Sequence, residues 1–379
     1  MAEKERVLEL PTYFDDFLRD TNPTPRQREV MIREHGLLRE RLMNDASLTK
    51  VLLATFIQGS QRRFTANRGS NDHPCDVDVV AVTNLPRSRT TAAHAHQIFQ
   101  PFLERHYCGR YAAQDRSWCI TVDNEVSIDL VPTSEPDSTE LKERILTRSL
   151  QDWRGEPGEK PATGDFRSLS EAVLQDARRD RDFDKSEPLW IPDRKLLLWE
   201  KTHPLYLIGW TARRNEATNG HFIHVVRSTK WWRREVEPLP KYPKGYPLEH
   251  LVGECCPAGF QTVASGLVGT LEEMARRYAT EAERKETPFL QARGITDPVV
   301  DVMRRVSGDD FAGFHGRVSA AARLARQALE AESVQESAAL WGKLLGDKFP
   351  MPRSEKGKAP AIGYRKPEHP ARPEESRFA

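Results

Sequence analysis

The chain has almost no net charge. Its 379 residues include 57 basic and 56 acidic side chains, for a formal charge of +1. No global field therefore demands a nucleic-acid partner, although a local basic groove stays open. Cysteine is scarce, and Cys75, Cys108, Cys119, Cys255 and Cys256 form no C-x-x-C pair. That argues against a disulfide scaffold and a structural zinc, and fits a reducing cytoplasm. No apolar run approaches 18 residues, and the opening MAEKERVLEL lacks the apolar stretch of a secretory leader. Eleven histidines show no metal spacing; His94 and His96 are two apart in a helical pattern and do not share a face. No internal repeat is visible. The expectation is a soluble, cytoplasmic protein that needs neither membrane nor nucleic acid to fold, long enough for two lobes.

Against these absences, one stretch carries chemistry. Gly59-Ser60 closes the apolar run VLLATFIQGS, and sixteen residues later Asp76-Val77-Asp78 opens CDVDVVAVT. Residues two apart on a strand share a face, about 6–7 Å apart, so Asp76 and Asp78 present paired carboxylates. Val77, Val79, Val80, Ala81 and Val82 suit a strand buried on at least one side. Paired carboxylates repel unless a cation sits between them, and magnesium is the usual one, sharing its remaining positions with water and phosphate oxygens. Gly59 and Ser60 offer a backbone N–H and a hydroxyl for phosphate. The segment WCITVDNEVSIDLVPT reads as a hairpin turning at Asp123-Asn124, with Val126, Ile128 and Leu130 on one face of its second strand. Asp129 falls on the other face, a lone carboxylate in an apolar strand, and is taken as the third ligand. Asp123 and Glu125 belong to the turn. Cys75 reads as a small core residue. Together the parts describe a metal-dependent nucleotidyltransferase.

Organisation can be read around them. TPRQREVMIREHGLLRERLMNDASLTKVLLATFIQGS reads as one long helix, starting at Asn22 or Thr24 with Pro25 early in it, a spine behind the catalytic sheet. TTAAHAHQIFQPFLERHY reads as a second helix. Residues 134–195, rich in Pro, Asp and Arg, read as peripheral connections around the mouth of the site. From KLLLWEKTHPLYLIGW at 195 onward the pattern is helical. The last 29 residues hold five prolines and few apolar side chains, so disorder is expected there.

Residues 10–350 resemble the bacterial cGAS/DncV-like nucleotidyltransferases, a branch of the DNA polymerase β-like superfamily. The resemblance rests on QGS at 58–60, DVD at 76–78, SIDL around Asp129 and NGHFIHVVRSTKWWR at 219–233. It continues in YPKGYPLEHL at 242–251, DDFAGFHGRVSAAARLARQAL, and WGKLLGDKFP ending at Pro350. The DVD element is shared with polymerases and with tRNA-tailing and antibiotic-modifying enzymes; the later motifs narrow the assignment. YPKGYPLEHL and the terminal RFA resemble clade D. The implied fold is α+β and bilobal: a mixed-sheet catalytic lobe at 1–195 carrying the spine helix, a helical nucleotide-binding lobe at 196–350, and a disordered tail at 351–379.

The resemblance implies two Mg²⁺ ions, with Mn²⁺ as a substitute, held by Asp76, Asp78 and Asp129. Gln58, Gly59, Ser60 and Lys230 would hold the donor phosphates, with Arg227 at i−3 assisting and a solvated surface lysine as the alternative for Lys230. Tyr246 matches a base-stacking tyrosine, or else a core residue. Many relatives have serine before that tyrosine; here Gly245 stands, so the contact must come from backbone, Lys244 or water. The implied reaction joins ATP, with or without GTP, into a 3′-5′-linked cyclic tri- or dinucleotide that activates an effector in anti-phage defence. Clade D implies a trinucleotide. A template-independent nucleotidyltransferase acting on RNA or a small molecule, and an inactive sensor, are the alternatives. Arg-Phe-Ala at the end of an extended tether suggests a handle at Ala379 for an ancillary ubiquitin-transfer-like enzyme, against a tail without function.

Overall fold

The computed structural model describes residues 7–154, 187–238 and 240–352. In chain order its elements begin with α1 (Pro11–Asp20), α2 (Pro25–Asn44), β1 (Leu52–Gln58), α3 (Gly59–Arg62) and β2 (Cys75–Thr83). Then come α4 (Ala92–Gln97), α5 (Gln100–Tyr107), β3 (Tyr111–Ala113), β4 (Trp118–Thr121), β5 (Val126–Pro132) and α6 (Thr139–Arg154). After the gap follow β6 (Leu189–Asp193), β7 (Leu198–Thr202), α7 (Pro204–Glu216), α8 (Phe222–Glu235) and α9 (Gly245–Cys255). The chain continues through α10 (Val263–Arg277), α11 (Ala279–Glu283), α12 (Gly308–Leu329) and α13 (Val334–Leu345).

Five strands form a mixed sheet in the order β1-β2-β5-β4-β3. The central pair, β2 and β5, is parallel, and the other neighbours are antiparallel. β2 alternates as the sequence requires. Cys75, Val77, Val79 and Ala81 join Ile128, Leu130, Phe99 and Phe102 in a core under α2 and α5. Val80 and Val82 point the other way, into a second core with Phe56, Leu141, Ile145 and Leu205. Asp76 and Asp78 share the parity of Val80, so they open on this second side, towards the helical half. A third core joins α8, α9, α10, α12 and α13, with Trp231, Trp232, Phe311, Phe314 and Trp341 buried in it.

Several expectations need correction. The long helix does not run to Ser60. It starts at Thr24, whose side chain and that of Gln27 form a reciprocal capping box with Pro25 in the first turn, and it ends at Asn44. Asp45 then accepts from the Ser47 amide and from Arg105, and the β-branched Thr55 and Ile57 enter the sheet as β1. TTAAHAHQIFQPFLERHY is two helices, because Pro101 sits in the first turn of α5 and cannot continue α4. LLWEKT is not helical: β6 and β7 form an antiparallel hairpin. Asp193 holds the turn by accepting from the amides of Lys195 and Leu196, and the boundary expected at 195–196 falls inside it. The described part of 134–195 is not all mouth, since α6 sends Leu141 and Ile145 into the sheet core. Phe14, Phe17 and Leu18 of α1, expected with the sheet lobe, pack into the helical core instead. The runs at 155–186 and 353–379, with the tail and Ala379, lie outside the described residues.

Candidate active site

The parallel register of β2 and β5 places Asp78 directly opposite Asp129, and Asp76 opposite Ser127. All three carboxylates therefore stand on one face of two adjacent strands. β1 adds Gln58, paired with Asp78 from the other side. Gly59 follows at φ +82°, and a Cβ there would lie 1.7 Å from Asp78 Oδ2. Only glycine lets the chain turn into α3 against that carboxylate.

Crowding of like charges shows in their protonation. Burial, followed by the charges of Asp76 and Asp129, pushes Asp78 up to about 8, against the pull of Arg63 and Lys230. Burial, and then Asp76, pushes Asp129 up to about 7. Asp129 Oδ1 is buried without a hydrogen-bond partner, whereas Asp76 is exposed. Among the described residues no three His, Cys, Asp or Glu side chains are already gathered into a metal cluster. The acids are spread along the strands, all hard oxygen donors, with one oxygen left over. That donor set fits a magnesium-like ion that draws the carboxylates together. Cys75 is buried and its thiol is pushed up to about 11 by burial, which suits packing and not nucleophilic attack.

The facing wall comes from the helices. Lys230 on α8 lines a cleft of about 170 Å³ together with Ser60, Asp76, Arg233, Arg234 and Gly245. Its Nζ donates to Glu249 Oε1 and to the Thr65 carbonyl, both at 3.0 Å. Arg63 donates to Glu249 Oε2 through Nη2 at 2.9 Å and Nε at 3.2 Å. Burial would raise the Glu249 carboxyl, but Arg63 and Lys230 outweigh it and hold the group at about 2. Tyr246, one turn before Glu249 on α9, is half-buried with its ring 4.6 Å from that of His250. It lines a second cavity, of about 240 Å³, with Lys244, Asp115, Arg116 and Arg304. The expected residues thus divide: Ser60, Asp76 and Lys230 share one cleft, while Lys244 and Tyr246 line the next. Lys244 is exposed.

Arg227 does not assist Lys230. It is 1 % exposed and donates to the Leu18 carbonyl, facing α1 and not the cleft. Glu249, Arg63 and Thr65 were missed. Glu249 had a signal: it is the lone acid between Leu248 and Leu251 in an apolar helix turn.

Residues 8–155 match the model of the Second Messenger Oligonucleotide or Dinucleotide Synthetase domain. Over 98 % of its length the chain is 41 % identical to the whole of a cyclic AMP-AMP-GMP synthase of Enterobacter hormaechei. The chain belongs to the bacterial cGAS/DncV-like nucleotidyltransferases. These are cyclic oligonucleotide synthases, and the protein is accordingly an enzyme of the nucleotidyltransferase class. Within the family it is 27 % identical, over 93 % of its length and 89 % of the relative's, to a cyclic AMP-AMP-AMP synthase of Acinetobacter. The Bradyrhizobium diazoefficiens family member CdnG, solved with GTP, superposes with a TM-score of 0.64 at 12 % identity, covering 92 % of this chain and 96 % of that one. The bilobal polymerase β-like fold expected from the motifs is therefore the observed one.

Proposed function

We propose that the protein joins ATP and GTP into a 3′-5′-linked cyclic trinucleotide of two adenosines and one guanosine, releasing pyrophosphate at each step. The observation that carries the chemistry is the placing of Asp129 beside Asp78, with Asp76 on the same face and a buried carboxylate oxygen unused. The base composition rests on the relative matched end to end, named a cyclic AMP-AMP-GMP synthase. Asp76, Asp78 and Asp129 would hold two Mg²⁺ ions. Bound there, the metal supplies neutralisation of the triphosphate charge and a lowered pKa at the acceptor hydroxyl.

The residues of the chain supply position. Lys230 and Ser60 hold the donor phosphates from opposite sides of the cleft, a mobile point charge against a fixed hydroxyl. Gln58 and Gly59 bring the chain past Asp78 without a side chain in the way. Tyr246 offers a ring face to a nucleobase, and Lys244, next to the Gly245 that stands where many relatives have serine, supplies a cation at the rim. The acceptor 3′-hydroxyl lies in line with the donor α-phosphorus, oriented from the Asp129 side, and pyrophosphate leaves towards Lys230. Repetition gives a linear intermediate, which turns so that its free hydroxyl closes the ring. Holding reactants in line and neutralising charge account for most of the rate in such transfers. The product would then act on a cyclic-nucleotide-activated effector.

Incubation of the pure protein with labelled ATP, GTP and Mg²⁺ tests this. The expected result is a phosphatase-resistant product whose mass is that of two AMP and one GMP joined in a ring. An all-adenosine ring would move the specificity to that of the more distant relative. Transfer to added RNA, with no cyclic product, would overturn the reading.

A further inference from the structure

We infer that Glu249 is the resident counter-ion of the donor-phosphate site, holding Lys230 in reserve and yielding it to an incoming oligophosphate. The inference rests on the reading of Lys230 as the phosphate-gripping residue. Three charged side chains meet here nearly out of water: Glu249 is 12 % exposed, Arg63 10 % and Lys230 18 %. Two cations at this depth would destabilise the fold without an anion between them, and Glu249 is the acid that contacts both.

The contacts are not equivalent. Arg63 grips Oε2 through two nitrogens, and the Thr65 hydroxyl donates to Oε1 at 3.0 Å. Lys230 makes one bond to Oε1 and one to a carbonyl, on a flexible stem that already reaches the cleft beside Ser60 and Asp76. If Lys230 leaves, Glu249 keeps three donors and is not stranded. If Arg63 left, it would lose two of its four. Lys230 is therefore the exchangeable member, and Arg63 with Thr65 is the fixed cradle.

From Lys230, an oligophosphate binding this cleft does not gain a free cation. It takes one from Glu249, and the carboxylate then stands near the phosphate charge. Both effects weaken binding of donor and of pyrophosphate alike. An enzyme that must release pyrophosphate after every joining step benefits from such a moderated grip. Because Glu249 lies one turn beyond Tyr246 on α9, the counter-ion and the proposed base platform also move as one body.

Binding of inorganic pyrophosphate, measured by calorimetry together with melting curves, tests the inference. Glu249→Gln keeps the shape but removes the charge. It should lower the melting temperature of the unliganded protein and tighten pyrophosphate binding about tenfold, so that the ligand-induced stabilisation exceeds that of the wild type. In turnover it should lower KM for ATP and lower kcat together, because release slows. Glu249→Asp keeps the charge but is too short to span both cations, and should tighten binding about threefold without loss of fold. Pyrophosphate binding that is unchanged or weaker in both variants would overturn the inference and leave Glu249 as a structural prop. Lys230→Ala separates the two claims. If it binds pyrophosphate as the wild type does, the reading of Lys230 fails, and the counter-ion role falls with it. If it weakens binding while the Glu249 variants do not tighten it, only the counter-ion role fails.

Discussion

The two walls of the cleft both set carboxylates among charged neighbours, and they reach opposite states. On the sheet wall three carboxylates face one another, and burial with mutual repulsion lifts Asp78 to about 8 and Asp129 to about 7. On the helix wall Glu249 sits between Arg63 and Lys230 and is held at about 2 despite its burial. The helix wall is balanced within itself, Glu249 being bonded to both cations. Among the described residues the sheet wall is left wanting positive charge, since the pull of Arg63 and Lys230 on Asp78 does not offset its burial and its acidic neighbours. Burial alone thus does not decide a site's chemistry; the sign and number of its neighbours do.

The comparison breaks most visibly if the sheet wall is neutralised. Asp76→Asn together with Asp78→Asn should abolish product formation in the mass-resolved assay. Circular dichroism should show an intact fold, since repulsion is relieved and no partner is lost. Asp129→Asn should be nearly as damaging. Next in size is removal of the cation from the helix wall. Lys230→Ala should lower kcat/KM on the order of tenfold or more for both ATP and GTP, by similar factors, as suits a residue that touches phosphate and not base. A loss confined to one nucleotide would show base reading instead. Tyr246→Ala should cost about 1–3 kcal/mol in transition-state stabilisation through lost stacking, while Tyr246→Phe keeps near wild-type kinetics.

A smaller effect lies in stability against pH. Asp78 and Asp129 have folded pKa values above those of an unfolded chain. Their contribution is therefore fully present below about pH 4 and is lost as pH rises through 7 to 8. In metal-free buffer, Asp78→Asn should melt higher than the wild type at pH 9, by about 2 °C or more, and show little difference at pH 5. Equal gains at both pH values would mean that Asp78 is not held protonated by its neighbours. The smallest effect is expected from Asp123→Asn. Its Oδ1 accepts from the amides of Glu125 and Val126, which an asparagine oxygen does equally well. The ion pair lost is to Arg26, whose side chain is 62 % exposed, so activity and melting temperature should stay within error.

The sheet wall was legible because its logic is local. Alternation in CDVDVVAVT and VSIDLVP sets which residues share a face, and a turn at Asp123-Asn124 sets the hairpin. The helix wall was half legible. Lys230 came from a motif, but its partner did not: Arg63 and Glu249 are 186 residues apart, and their meeting depends on how the loop after α3 packs on α9. Arg227 was misjudged for a related reason. Three residues from Lys230 on a helix is close to the same face, yet here that small offset turns the guanidinium towards α1 and the Leu18 carbonyl. The extra helical turns expected at 45–60 and 196–202 failed where β-branched pairing or an aspartate-held turn overrode a merely apolar run. The order of apolar residues told sheet from solvent well and strand from helix poorly.

On the function proposed, the sheet wall is an incomplete cation site. Titration of Mn²⁺ in the presence of ATP, followed by the loss of its free-ion electron paramagnetic resonance signal, tests it most directly. The wild type should take up Mn²⁺ beyond what ATP alone binds, and the Asp76→Asn Asp78→Asn variant should add nothing to the ATP background. Equal uptake by both proteins would contradict the account.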